Sequence, residues 1–150
     1  MLAPLLAASL AGCAVGRPLS FTGRTNSFCS DALASIAKLK APSDPEHQMR
    51  YAMDSYSAIE KAVSQTTDSS LPGGSSGDRL REAWLRPARA SLTAGRSTLR
   101  ELSEAVRDHD RAAAESAFAA TASVGREGVD VSLLRADGLD RCASLFSEPS

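Results

Sequence analysis

The chain has 150 residues, with 17 Lys and Arg against 18 Asp and Glu, for a net charge of −1. That length fits one domain, and the balanced charge excludes a general nucleic-acid binder, which carries a basic excess. Hydrophobic residues make up 43% but aromatics only 5%, so the core must come from Leu, Ile, Val, Met and much Ala, which suits close-packed helices better than a sheet.

The first element is a targeting segment. Met1 to Ala14 holds no charged side chain and is mostly Ala and Leu. A permanent membrane span needs about 20 residues, so this run fits the apolar region of an export signal instead. It ends in Leu10-Ala11-Gly12-Cys13, which resembles the lipobox of bacterial lipoproteins: an aliphatic residue, a small residue, Gly or Ala, then Cys. The resemblance implies cleavage between Gly12 and Cys13. It also implies a covalent diacylglyceryl thioether and an acyl chain on Cys13, and attachment to the extracytoplasmic face of the cell membrane. Several acyl chains anchor stably where one alone does not. The division expected is a signal peptide over 1–12, a tether over 13–26 and a helical domain over 27–146.

The other two cysteines are Cys29 and Cys142. If Cys13 carries lipid, as the resemblance implies, these two remain, and exported domains with two cysteines commonly pair them. A bridge closing a loop of about 100 residues contributes about 4–5 kcal/mol on the chain-entropy model.

Apolar residues at Cys29, Leu33, Ile36 and Leu39 predict a first helix from Ser27 to Leu39. Ala41-Pro42 ends it. Asp44 as cap and Pro45 in the first turn start a second helix, running to Thr67 with Ala52, Tyr56, Ile59, Val63 and Thr66 inward. Asp68 to Asp78 reads as a flexible loop. A third helix from Asp78 places Trp84, Ala88, Leu92, Gly95, Leu99, Leu102 and Val106 on one face, with Pro87 either kinking it or shifting its start. Asp108-His109-Asp110 marks a turn. A fourth helix follows with Ala114, Phe118, Thr121, Ala122, Gly125 and Val129 inward, ending by Gly138. The fold class expected is all-α, a four-helix up-down-up-down bundle closed by one disulfide. In such a bundle Cys29 and Cys142 fall at the same end. The pattern is also similar to small helical lipoproteins of high-GC Gram-positive bacteria, which often end in Gly-Leu, a short gap and Cys. That resemblance implies a fold and a location only.

Catalytic chemistry finds little support. A nucleophilic serine needs a base and a strained strand-to-helix elbow, and His47 and His109, the only histidines, each lie at a predicted helix end. Asp108-His109-Asp110 cannot close a metal site alone, because adjacent helical residues point in different directions. Haem ligation by His109 with Met49 or Met53 is a weaker reading still. Leu71 to Asp78 lacks the Lys-Ser/Thr ending of a phosphate loop. On the third helix Arg79, Arg86, Arg89, Arg96, Arg100 and Arg107 fall in one sector, with Glu82 and Glu104 placed to pair with Arg86 and Arg100. That sector offers a contact surface for anionic lipid or envelope polymers. The function expected is therefore a non-catalytic binding or scaffolding lipoprotein of the cell envelope, with envelope proteins as further partners and no metal or other cofactor. The alternative is a surface protein binding a small ligand such as haem or a metal.

Overall fold

The structure is a computed structural model that describes residues 19–147. The lipobox, Cys13 and the signal peptide lie outside the described residues. Every regular element among the described residues is helical.

α1 spans Phe21–Ala37 and begins before the expected Ser27. Ser20 caps it by accepting from the Gly23 amide at 3.1 Å, and Phe21 and Thr25 extend the inward stripe upstream. The end of the expected tether, 21–26, is thus helical. α2 spans Pro45–Gln65, with Asp44 as N-cap and Pro45 in the first turn, as the sequence predicts. A 3-10 turn at Asp68–Ser70 and a short loop lead into α3, Ser75–Leu80, slightly ahead of the expected start.

α3 passes through a π turn, Arg81–Leu85, into α4, Arg86–Arg107. Pro87 explains the irregularity. It has no N–H, so the Ala83 carbonyl loses its donor one turn further on. The Asp130 amide fills that vacancy at 2.8 Å. Asp108 to Asp110 forms the predicted turn, and Asp110 caps α5, Arg111–Ala120, by accepting from the Ala113 amide.

The single fourth helix of the expected bundle is not there. After α5 come a 3-10 turn, Thr121–Ser123, then α6, Val131–Ala136, and α7, Asp140–Phe146. Gly125 and Gly128 break the helix, at φ of 80° and 78°, a region that glycine enters without steric cost. The break is locked from α4. Ser91 Oγ accepts from the Gly125 amide at 2.8 Å, and Val124 fills the notch left by the missing side chain of Gly95. Ala122, expected inward, is exposed as a result.

α1 packs on α2 and α7, and α2 on α4 and α5. One core cluster gathers Ile59, Trp84, Leu85, Leu134, Leu139, Leu145 and Phe146, with the Trp84 and Phe146 rings edge-to-face at 6.0 Å. The expected Cys29–Cys142 disulfide lies within it, Cα atoms 5.0 Å apart. A second, smaller cluster holds Ala52, Leu102, Ala105 and Ala114 between α2, α4 and α5. No helix among the described residues is long and apolar enough to cross a membrane.

Gly95 tests this packing. A Cβ there would overlap Val124 Cγ1, and such overpacking costs about 1–3 kcal/mol. Gly95→Ala is therefore expected to lower the urea midpoint, although alanine alone favours an exposed helix interior by about 1 kcal/mol. Gly73→Ala, where the added methyl meets nothing within 4 Å, is the control and should leave the midpoint unchanged.

Candidate functional site

Where the two core clusters meet, a cavity of about 340 Å³ opens between α2, the start of the broken segment and the α1–α2 connection. Tyr51 and Ser55 reach it from successive turns of α2, because i and i+4 share a face, and Tyr56 borders it from the flank of the same helix. Leu99 comes from α4 and Phe118 from α5, while Val124 and Arg126 come from the turns that follow. The Tyr51 and Phe118 rings meet edge-to-face at 6.2 Å.

The polar groups of the cavity differ in how they are satisfied. Tyr56 Oη donates to the Leu92 carbonyl at 3.2 Å and accepts from Arg96 Nε at 3.1 Å, which ties α2 to α4. Ser55 Oγ is buried with no hydrogen-bond partner. Arg126 donates from Nε to the Leu145 carbonyl at 3.1 Å and from Nη1 to the Ala122 carbonyl at 3.0 Å. It forms no ion pair among the described residues, and no carboxylate lines the cavity. Burial pulls its guanidinium below the ordinary arginine range, against a smaller opposing effect of the nearby Tyr51 phenol.

The sequence reading singled out none of Tyr51, Ser55 and Arg126. The signal for Arg126 was its position between Gly125 and Gly128, which argues for a turn where a helix was expected.

A second cleft, about 400 Å³, joins the two histidines that the sequence left at separate helix ends. His47 in the first turn of α2 and His109 after α4 both line it, with Asp44, Glu46 and Asp110. His47 Nδ1 lies 2.6 Å from Asp44 Oδ2. A base oriented by a carboxylate needs a nucleophile to act on, and no Ser, Thr or Cys lines this cleft. Among the described residues no three His, Cys, Asp or Glu side chains are grouped to hold a metal ion. Met53 and His109 are exposed, and Met49 packs against the second cluster.

All six arginines of the α3–α4 sector are exposed. Four are paired within the protein: Arg86 with Glu82 at 2.6 Å, Arg89 with Asp68 at 3.0 Å, Arg96 with Glu60 at 3.2 Å and Arg107 with Asp108 at 3.2 Å. The expected Arg100–Glu104 pair does not form, and neither Arg79 nor Arg100 has an ion partner among the described residues.

The geometry of the second cleft yields two tests. His109 has φ 56°, and the amides of His109 and Asp110 close the α4 end on the Val106 and Ala105 carbonyls, the capping pattern that favours glycine. A non-glycine residue there costs about 1–2 kcal/mol, so His109→Gly should raise the urea midpoint. Asp44 is held below its ordinary 3.8, first by the His47 backbone amide and then by the His47 ring. A depressed folded pKa means stability that is present above 3.8 and lost as pH falls through the folded value. Asp44→Ala should lower the melting temperature at neutral pH, and paired melts should show the gap closing under strong acid. No protein-family model matches the chain, and neither a curated protein nor a solved structure is found similar to it.

Proposed function

We propose that this protein is an exported lipoprotein, held at the extracytoplasmic face of the cell membrane by lipid on Cys13, whose helical domain binds a partner there without catalysis. The Cys29–Cys142 disulfide is the observation that carries the reading. Stable disulfides form in oxidising compartments outside the cytosol, and the pair was expected from export, from the commitment of Cys13 to lipid and from the bundle geometry. α1, α2 and the α3–α4 helix serve as three members of an up-down-up-down bundle, and α5 to α7 as its broken fourth.

A second reading, a carrier of a small ligand, is favoured by the cavity between the core clusters. Among the described residues its lining offers no imidazole, thiolate, thioether or carboxylate, leaving only the Tyr51 and Tyr56 phenols as side-chain ligands of the kind that hold haem or a metal. The arginine sector contributes to a contact surface mainly through Arg79 and Arg100, since the other four are engaged internally.

Lipidation is tested in the producing cell. Fractionation should place the wild-type chain with membranes and Cys13→Ser in the soluble fraction. Mass spectrometry of the N-terminal peptide should find a lipid-modified Cys13. An unmodified Cys13 in the membrane-free fraction would end the anchored reading.

A further inference from the structure

We infer that the cavity between α2, α4 and α5 is a binding site for a single-chain carboxylate, with Arg126 holding the carboxylate and the apolar walls holding the chain.

The cavity measures about 340 Å³, on the order of eleven water volumes at roughly 30 Å³ each. That is the lower end of ordinary small-ligand sites. Its walls are chiefly Ile59, Leu99, Phe118 and Val124 with several alanines. Such surface holds water poorly, because an enclosed water needs two to four polar partners.

Charge fixes the class of head group. Among the described residues Arg126 is the one ionised side chain lining the cavity. Arg126 is half-buried, and a cation partly withdrawn from water without a counter-charge is costly. Its two carbonyl acceptors, on Leu145 and Ala122, satisfy part of a group that has five N–H donors. Three of those donors have no protein partner among the described residues. A planar fork of N–H donors matches a carboxylate. The closed hydrogen bonds of Tyr56 to Leu92 and Arg96 leave that residue as wall rather than ligand.

The structural role of Arg126 does not account for the rest. Bonds to two carbonyls explain a donor at that position. They do not explain why, among the described residues, the cavity beside it has no carboxylate.

This assignment deepens the carrier reading and rests on it, but is independent of lipid on Cys13. It is tested on the full chain carrying Cys13→Ser, with the Cys29–Cys142 bridge intact, stripped of bound lipid. Calorimetric titration with decanoate should give one site per chain. Decanol has the same chain with a neutral head, and should bind about ten- to a hundredfold more weakly, the worth of one charge-assisted hydrogen-bonded pair. Arg126→Gln should bring decanoate down to the decanol level and leave decanol unchanged, and Arg126→Lys should restore part of the difference. Ala119→Phe, on the exposed rim, should abolish binding of both while leaving the helical circular dichroism intact. If Arg126→Gln fails to fold, the wild-type preference and Ala119→Phe decide. Equal binding of decanoate and decanol by the wild type would overturn the assignment, as would decanoate binding that survives Ala119→Phe. Neither result bears on the anchored reading, which the Cys13 experiments judge separately.

Discussion

The junction between α1 and α7 carries the rest of the fold. The Cys29–Cys142 bridge joins residues 113 apart in sequence, and the side chains beside it complete a clasp. The Asn26 amide donates to the Gly138 carbonyl at 2.8 Å and accepts from the Arg141 amide at 3.0 Å. Arg141 Nε donates to Ser30 Oγ at 2.9 Å. α6 and α7 have 6 and 7 residues, far below the roughly 12–15 at which an isolated helix becomes even marginal. α7 persists because α1 holds it, and α6 because it packs on α7 and on the π turn before α4. A bridge that closes so long a loop contributes about 4–5 kcal/mol, against a net stability of about 5–15 kcal/mol for an ordinary domain.

With its far end clasped to α1, the chain can leave helical geometry in the middle of the fourth segment. A continuous α-helix would carry residue 126 roughly 9 Å beyond Ala120 along its axis. Instead the turns fold Arg126 back onto the Ala122 carbonyl and across to Leu145 in α7. Val124 drops into the Gly95 notch, and Ser91 holds the Gly125 amide. The same irregularity answers Pro87, because Asp130, at the start of α6, supplies the amide that the Ala83 carbonyl lacks. The cavity lies where this segment departs from a helix, so the break and the site have one physical origin.

The first three helices were legible because their signals are local. Asp44-Pro45 starts a helix by capping and by a preset φ, and the stripes from Ala52 to Thr66 and from Trp84 to Leu102 are buried as their period implies. The α1 start was missed because Thr22 and Gly23 are poor helix formers, and only the Ser20 cap and burial of Thr25 against α7 offset that. The fourth segment misled for the opposite reason. Ala114, Phe118 and Gly125 keep a helical period, yet Gly125 and Gly128 reach positive φ. Periodicity reports which residues face inward, and it cannot say that the backbone between them has turned. His47 and His109 show the same limit, since 62 residues of sequence separate two side chains that line one cleft.

Electrostatics separates the conspicuous arginines from the consequential one. The α3–α4 sector stands out in sequence, but its charges are exposed and mostly neutralised by neighbours such as Glu82, Asp68 and Glu60. Exposed pairs contribute about 0–1 kcal/mol each and weaken further with salt. Arg126 has no periodic pattern to mark it. Its guanidinium is partly withdrawn from water, bonded only to carbonyls, and placed beside an apolar space. Coulombic attraction grows as the surrounding dielectric falls, so one uncompensated cation in that setting outweighs several balanced ones on the surface. An anion entering the cavity would neutralise a charge whose partial desolvation the fold already bears, and that makes the cavity selective for charge before it is selective for shape.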